Sequence, residues 1–465
     1  MTTPMTTSPP ADVPRIKARV TELLTESGIP SAAIGILHHG QITEFACGIT
    51  DVETGEPATP DTVYQCGSMT KTWTALAFLQ HVDEGTVDLD APVRAYLPDF
   101  TVADPVASAE VTPRHLLNHT NGIEEDYGEP GDDDDVYERM VANIADAPQV
   151  FPLGHTHGYS VALGYAILAR IMEVIDGERW DDIMRNRLFD PMGLTSTSTR
   201  REHVDETRAA TGHVIRSLEE GPIVTPVDYL PRAFGPSGAV TSTAREVLAL
   251  AHLLLTEGTA PNGQRIVSAG SVREMMRSRV PVPDPYLLGQ EWALGLIVGD
   301  WHGETVYATD GSTIGQNARL RVLPDSDIAI AMLTNGGPRD SVYRAVFNEI
   351  LSHLNAVTIP DLPAPNPALN LDLARYEGCY GRPGTRYEVW AEGRKLFLTL
   401  DLEPTQAEFL HRPSRITYEL LPVSETQFLM PPADPLEDTQ TLAIYDFTGG
   451  AARYLHTNGR VNPRL

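Results

Sequence analysis

The chain has 465 residues, and 35 basic against 63 acidic side chains give it a formal charge of −28. Hydrophobic residues make up 42%, enough for a sizeable core, and the 21% of charged residues is too low for a disordered chain. The acidic balance argues against nucleic acid or anionic membrane as partners, since both require basic patches. It leaves cationic ligands open.

The three cysteines, Cys47, Cys66 and Cys379, form no Cys-x-x-Cys pair, so the sequence predicts neither a disulfide framework nor a metal site. Residues 1–12 are rich in Thr and Pro and lack the apolar segment of a signal peptide. No apolar run approaches the ~18 residues of a membrane span. We therefore expect a cytoplasmic protein without a cofactor or metal, and leave its oligomeric state open.

The first part of the chain alternates helical and extended patterns. Residues 1–12 predict a frayed tail, after which apolar residues recur at helical spacing from Ile16 to Leu24. Two apolar runs, 32–37 and 42–48, flank the turn His39-Gly40 and predict a pair of strands. Further helices are predicted over 67–82, 161–175 (ended by Gly177) and 247–255, and further strands over 306–309, 319–323 and 328–333.

A break in composition follows, where four prolines fall between residues 360 and 367 and predict an extended linker over 357–370. Beyond it, residues 371–465 show short alternating strands, which predict a small all-β unit, either sandwich or barrel. The predicted strands are 387–389, 396–400, 416–420, 428–430, 442–447 and 453–456, with a hairpin turn at Gly449-Gly450. The expected domains are therefore a tail (1–12), an α/β domain (13–356), the linker (357–370) and the all-β unit (371–465).

The strongest chemical signal is Ser68-Met69-Thr70-Lys71. Residues three apart share one face of a helix, so Ser68 Oγ and Lys71 Nζ can meet. Serine needs a base beside it to act as a nucleophile at neutral pH, and burial near the start of a helix lowers the pKa of a lysine. The four-residue pattern alone is common in long chains, so its surroundings must decide.

Five ordered segments over residues 13–350 carry a resemblance to the serine β-lactamase and penicillin-binding-protein superfamily, in the branch of class C β-lactamases, D-aminopeptidases and β-lactamase-like esterases. The segments are YQCGSMTK (64–71), TPRHLLNHTNG (112–122), FPLG with GYS and GY (151–165), LFDPMGL (188–194), and SG with TSTARE (237–246). The resemblance implies an α/β fold: an antiparallel sheet flanked by helices, with a helical subdomain that carries Tyr159.

The resemblance also implies roles for individual residues. Ser68 is expected to be the acylated nucleophile, and Lys71 takes its proton or lowers the pKa of the base. Tyr159 is the second catalytic group, acting as a phenolate base or as a proton relay to the leaving group. The C-terminal unit resembles the lipocalin-like β-barrels of some relatives, with residues 374–381 as its first strand, and either caps the structure or gates the substrate.

Two positions depart from the pattern of the superfamily. Its Tyr-x-Asn motif is Tyr159-Ser160-Val161 here, and Val161 has no amide to orient the lysine or contact a substrate. Its third motif, Lys-Thr-Gly or His-x-Gly, matches residues 309–312, where Thr309 replaces the cation. Gly311 still lets the strand approach the substrate, and the N–H of Ser312 is expected to complete an oxyanion hole with that of Ser68.

These features predict acyl transfer through an acyl-Ser68 intermediate on a small-molecule or peptide ester or amide. The candidate activities are esterase, D-amino-acid peptide hydrolase and transacylase. A catalytically lapsed binding or sensing protein is the alternative, and the departures at Val161 and Thr309 make a true β-lactamase the least favoured reading.

Other polar residues carry weaker signals. His155 and His157 invite a metal hypothesis but lack a third ligand, so a pocket rim or solvated loop is expected. His115 and His119, four apart on a presumed helix, are expected to be structural, and Cys66 is expected to be buried. Nine acids lie within residues 124–138, which predicts a solvated loop, a calcium site, or a negative rim that attracts an amine-bearing substrate. They are Glu124, Glu125, Asp126, Glu129, Asp132, Asp133, Asp134, Asp135 and Glu138.

Overall fold

The computed structural model describes residues 12–125, 133–337, 340–404, 413–433 and 436–465. Its helices α1–α12 are, in order, Val13–Ser27, Thr70–Asp83, Pro105–Glu110, Pro113–Leu117, Val136–Ala142, Leu163–Asp176, Trp180–Met184, Asp190–Met192, Gly235–Gly238, Ala244–Leu255, Ala269–Arg277 and Asp340–His353. The first twelve of its strands, β1–β12, are Ser31–His38, Gln41–Gly48, Tyr64–Gln65, His213–Ile215, Pro222–Val224, Thr241–Ser242, Val280–Pro281, Glu291–Trp292, Ile297–Trp301, Glu304–Ser312, Asn317–Leu323 and Ile328–Thr334. The remaining strands, β13–β20, are Gly378–Arg382, Thr385–Glu392, Lys395–Leu402, Arg415–Pro422, Gln427–Met430, Gln440–Thr448, Ala451–Thr457 and Arg460–Pro463.

Strands from both ends of the α/β region form one antiparallel sheet, in the order β2-β1-β12-β11-β10-β9-β8-β7. Ile34 of β1 lies opposite Met332 of β12. Side chains alternate between the two faces of the sheet along each strand. Helices α1 and α12 cover the face that carries Ile34 and Ile330. Helix α10 covers the opposite face.

The helical subdomain is built around α2, whose residues from Thr70 to His81 are all buried. Trp73 and Phe78 of this helix join Trp180 and the apolar side of α6 in the larger core. A helix that is buried on every side holds its residues in fixed positions. This rigidity matters because the Ser68 turn, Gly67–Met69, leads directly into α2.

The C-terminal strands form a barrel and not a sandwich. Strands β13 to β20 pair antiparallel in chain order, and Tyr380 of β13 bridges Arg464 after β20 to close the ring. The N–H of Leu465 also donates to the carbonyl of Cys379 at 2.8 Å. Large side chains, among them Tyr380, Tyr387 and Phe428, fill the interior.

The barrel contacts the α/β region close to Tyr159. Phe151 packs against Tyr454 and Val461 of the barrel. Arg382 of β13 forms an ion pair with Glu124 at 3.1 Å, and both side chains are less than 10% exposed. This buried ion pair connects the barrel to the segment after α4, which lies beside the Tyr159 loop because Glu125 accepts from the N–H of Val161.

The predicted fold class is confirmed, and with one exception the predicted helices and strands are present, with ends that differ by a few residues. One helix prediction is wrong: α4 ends at Leu117, and His119 lies beyond it with a φ of 60°. His115 instead stabilises the start of α4, because its side chain and that of Thr112 bond to each other's main chain. Within the described segments, no helix has both the length and the apolar character needed to cross a membrane.

Candidate active site

Ser68 and Lys71 lie at the junction of the Gly67–Met69 turn and α2. Lys71 Nζ donates to Ser68 Oγ at 3.3 Å. It also donates to two main-chain carbonyl oxygens, of Val161 at 2.9 Å and of Ser237 at 3.2 Å. The ammonium or amine is thus held by one acceptor from each of three chain segments, and one of them is the candidate nucleophile.

The lysine is buried, with 1% of its surface exposed. Burial lowers the pKa of Lys71 because the charged form loses its hydration, and the nearby carboxyl of Glu125 opposes this shift. A lysine with a lowered pKa is neutral in a larger fraction of molecules at neutral pH. In that form it can accept the proton of Ser68.

Tyr159 stacks over the lysine, with Lys71 Nζ 4.8 Å from the ring centroid. Desolvation raises the pKa of Tyr159, and a hydrogen bond from Ser68 opposes the rise only in part. The phenol is therefore the favoured form, and of the two roles expected for Tyr159 the proton relay fits better than the phenolate base. Rings of His119 and Trp292 enclose it, with centroids 4.7 and 5.5 Å away.

The third motif lies at the end of β10, against the Ser68 turn. A Cβ added to Gly311 would clash with the Cys66 carbonyl oxygen and lie 2.7 Å from the N of Ser68, so only glycine permits this approach. A Cβ added to Gly67 would lie 2.6 Å from the N of Ser312. The end of β10 and the Ser68 turn are therefore packed backbone against backbone, and the main-chain N atoms of Ser68 and Ser312 both lie at this contact.

Thr309 lies inside the fold. Its side chain is 5% exposed, and its hydroxyl oxygen bonds that of Thr72 on α2 at 2.8 Å. The Thr72 hydroxyl also bonds the carbonyl of Gly295, at 2.7 Å. Thr309 thus joins β10 to the buried helix and adds no charge to the cleft.

Val161 corrects one sequence-based expectation. Its side chain lacks the amide of an asparagine, but its main-chain carbonyl oxygen orients Lys71. Every residue type carries a main-chain carbonyl. Lys71 therefore keeps a hydrogen-bond acceptor at position 161 although valine replaces asparagine there.

Glu125 is the residue at this site that sequence reasoning missed. Its Oε2 accepts from the N–H of Val161 and, at 3.1 Å, from the N–H of Ala162. It follows the HTNG segment within a run of acids, and nothing in that run distinguishes it from its neighbours. Desolvation raises the pKa of Glu125, and hydrogen bonds from Ser160, Ala162 and Val161 oppose the rise.

The remaining acids of the 124–138 run do not form a free negative rim where they are described. Glu124 pairs with Arg382, Asp133 and Asp135 pair with Arg139, Asp134 with Arg179, and Glu138 with Arg170. These four arginines offset part of the negative charge that the steering hypothesis requires. Asp126, Glu129 and Asp132 lie outside the described residues.

The other candidates are structural in their surroundings. His155 bonds Asp446 of the barrel at 3.0 Å. It lines a pocket together with His157, as expected of a rim, although His157 is itself buried and not solvated. His119 Nδ1 accepts from the N–H of Ser160 at 2.9 Å, which ties it to the Tyr159 segment. Cys66 is buried as expected, and burial raises the pKa of its thiol to about 12. In the part of the chain with assigned positions, no three His, Cys, Asp or Glu side chains converge as a metal site.

The family profile described as Beta-lactamase matches residues 16–353, which is well over half of the chain. The chain belongs to the beta-lactamase family. It is 38% identical over 380 residues to "Penicillin-binding protein 4" of Amycolatopsis lactamdurans, a match that spans 81% of this chain and 99% of the relative. It is 31% identical over 199 residues to "Esterase EstB" of Burkholderia gladioli, covering 39% of this chain and 50% of the esterase.

The similarity to a solved structure extends over the barrel as well. The crystal structure of SurE superposes with a TM-score of 0.77 at 26% identity, covering 98% of this chain and 100% of that one. A structure of SurE with D-Leu gives a TM-score of 0.75 at 25% identity, covering 97% and 99%. The beta-lactamase family is one of serine hydrolases. The arrangement of an α/β region with a C-terminal barrel recurs in SurE.

Proposed function

We propose that the protein is an acyl-transfer enzyme that forms an acyl-Ser68 intermediate from an ester or amide of a D-amino acid or of a peptide ending in one. The acyl group then passes to water or to an amine. The observation that carries the proposal is the 3.3 Å contact between Lys71 Nζ and Ser68 Oγ, made by a buried lysine with a lowered pKa.

In the proposed reaction, neutral Lys71 takes the proton of Ser68 as its Oγ attacks the substrate carbonyl carbon. The N–H groups of Ser68 and Ser312 stabilise the oxyanion of the tetrahedral intermediate. The Tyr159 phenol gives its proton to the leaving group and regains one from the Lys71 ammonium. The bond from carbon to the leaving group breaks, and Ser68 remains acylated until the acceptor repeats the steps in reverse.

Two observations favour this substrate class. SurE, whose fold matches 97% of this chain in the structure solved with D-Leu, supports a D-amino acid as part of the substrate. The absence of a cation at Thr309 favours substrates whose recognition does not require a carboxylate at that position. Esters are included because a relative over part of the chain carries the name esterase.

The test is a matched panel of D- and L-leucyl and D- and L-phenylalanyl p-nitrophenyl esters and amides, with mass spectrometry of the intact protein. We expect kcat/KM to favour the D enantiomer by at least about tenfold. A modest difference in how two substrates fit one pocket changes kcat/KM by that order. The acyl mass should be trapped on Ser68 and be absent from Ser68→Ala.

Equal turnover of the two enantiomers would reject the substrate class and leave the acyl-serine mechanism standing. No acylation by any ester of the panel or by a fluorophosphonate would reject the mechanism. That outcome supports the binding or sensing alternative, which the substitutions at Val161 and Thr309 had suggested.

A further inference from the structure

We propose that Glu125 is a positioning residue for this reaction: it fixes the main-chain segment that orients Lys71, and its negative charge controls how readily that lysine gives up its proton. The inference rests on the proposed function, because Lys71 is the proton acceptor there. It assigns a role to a residue outside the three motifs by which the family is recognised.

The first part of the proposal is geometric. The carboxylate of Glu125 accepts from the N–H groups of Val161 and Ala162. The carbonyl of Val161, between those two N–H groups, accepts from Lys71 Nζ at 2.9 Å. A short chain of hydrogen bonds therefore runs from the carboxylate through one peptide segment to the lysine, where the superfamily pattern has an asparagine side chain.

The second part is electrostatic. Lys71 and Glu125 have no direct ion pair within 4 Å, yet the anion favours the ammonium form of the lysine across the intervening peptide. Desolvation shifts the pKa of each group toward its neutral form, downward for the lysine and upward for the glutamate. Two such groups titrate as a pair, so the charge of one sets the proton affinity of the other.

The groups that face this carboxyl come from several elements. Lys71 approaches from α2, and Tyr159 lies in the loop before α6 and senses the Glu125 charge. Arg382 of the barrel lowers the pKa of Glu125 and pairs with the adjacent Glu124. Glu125, Tyr159 and Arg382 line one small cavity, so both structural units contribute to the surroundings of the carboxyl.

Two substitutions distinguish the role of Glu125 as a hydrogen-bond acceptor from the role of its negative charge. Glu125→Gln keeps an oxygen that accepts from Val161 and Ala162 but removes the negative charge. Glu125→Ala removes both. Glu138→Gln is the matched control, since it makes the same change in the same acidic run at a side chain that is 60% exposed and paired with Arg170.

The readout is the pKa of Lys71, measured by NMR on protein labelled with ¹³C,¹⁵N-lysine. The sequence holds only three lysines, Lys17, Lys71 and Lys395, and Lys17 and Lys395 are exposed, so the buried lysine is identified by its absence from Lys71→Arg. We expect Glu125→Gln to lower the pKa of Lys71 by about one unit, the lower end of the shift that a nearby opposite charge produces. Glu138→Gln should leave it unchanged.

Kinetics on a short-chain p-nitrophenyl ester give the second readout. Glu125→Gln should move the acid limb of the kcat/KM profile to lower pH by the same amount, whereas Glu125→Ala should lower kcat by about 100-fold, as misplacement of a reacting group does. Circular dichroism and thermal unfolding verify that each variant is folded.

A Lys71 pKa that is the same in wild type and Glu125→Gln overturns the proposal, as does equal kcat in wild type and Glu125→Ala. If the wild type forms no acyl-Ser68 but the lysine pKa falls in Glu125→Gln, the proposed function is rejected and the role of Glu125 as the controlling charge stands. If an acyl-enzyme forms but the pKa does not move, the function stands and the role of Glu125 is rejected. An unfolded Glu125→Ala does not affect the result from Glu125→Gln.

Discussion

The main-chain N–H of Tyr159 donates to the carbonyl oxygen of Gly459, at 2.8 Å. Gly459 lies in the turn between β19 and β20, so this bond connects the barrel directly to a candidate catalytic residue. A Cβ on Gly459 would lie 3.2 Å from Cβ of Tyr159 and 2.8 Å from Leu288. The barrel therefore contacts the Tyr159 segment through the main chain of Gly459, and this close approach depends on glycine having no side chain.

The first prediction tests this contact. Gly459→Ala should lower kcat/KM by about 10- to 100-fold, because the added methyl displaces Tyr159. Gly449→Ala is the control: Gly449 has a similar φ, 67° against 75°, in the preceding hairpin turn, with nothing within 4 Å of the added Cβ. Both variants carry the same backbone strain of ~1 kcal/mol, so equal activity losses would show that strain alone is responsible.

The second prediction concerns the buried ion pair between Glu124 and Arg382. Removing either charge takes a close partner away from the other in a buried position, which costs ~3–5 kcal/mol of unfolding free energy. We expect Glu124→Gln and Arg382→Met each to destabilise the protein by this order in urea unfolding. The double variant should be less destabilised than the sum of the two, and strict additivity would show that the pair is not coupled.

The third prediction concerns the three candidate catalytic residues. Ser68→Ala should abolish turnover of the best ester, and Lys71→Ala and Tyr159→Phe should each reduce kcat by at least ~100-fold, as removal of a proton-transfer group does. Tyr159→Phe keeps the ring that packs against His119 and Trp292 and removes only the hydroxyl. Near-normal activity of Ser68→Ala would falsify the acyl-serine mechanism.

The fourth prediction is the pH dependence of ester turnover. The active enzyme requires neutral Lys71, so kcat/KM should rise with pH and level off above the pKa of that lysine. Because burial lowers this pKa, the plateau should begin well below the ordinary lysine value of about 10.4. The raised pKa of Tyr159 keeps the phenol protonated, so activity should not fall again up to about pH 10. If kcat/KM levels off only near the ordinary lysine pKa, the assignment of Lys71 as the base is contradicted.

The fifth prediction concerns β-lactams. Since Thr309 is bonded to Thr72 inside the fold and adds no cation to the cleft, a short-chain p-nitrophenyl ester should be turned over better than nitrocefin. Both rates are measured on the same preparation, with Ser68→Ala as the blank. Nitrocefin turnover that exceeds ester turnover would show that the cation is dispensable for β-lactam recognition.

Much of the fold was predictable because its signals are local. The strand pair around His39-Gly40, the buried helix after Ser68 and the short barrel strands follow from apolar periodicity and turn residues. The meeting of Ser68 and Lys71 was predictable for the same reason, as their spacing of three on one helical face fixes their distance. The helix expected to carry both His115 and His119 was the exception, because His119 has a positive φ that ends any helical path.

The sequence by itself thus determined the α/β and barrel classes, the family resemblance and the Ser68–Lys71 contact. Only the tertiary structure decided that Glu125 lies close to the lysine, and that Arg382 of the barrel pairs with its neighbour Glu124. It also decided that the carbonyls of Val161 and Gly459 hold Lys71 and Tyr159. The physical reason is twofold. Main-chain N–H and carbonyl groups are the same in nearly every residue, so the hydrogen bonds that they form leave no pattern in the sequence. Contacts between distant segments depend on how the folded units pack together, which the order of the side chains does not reveal.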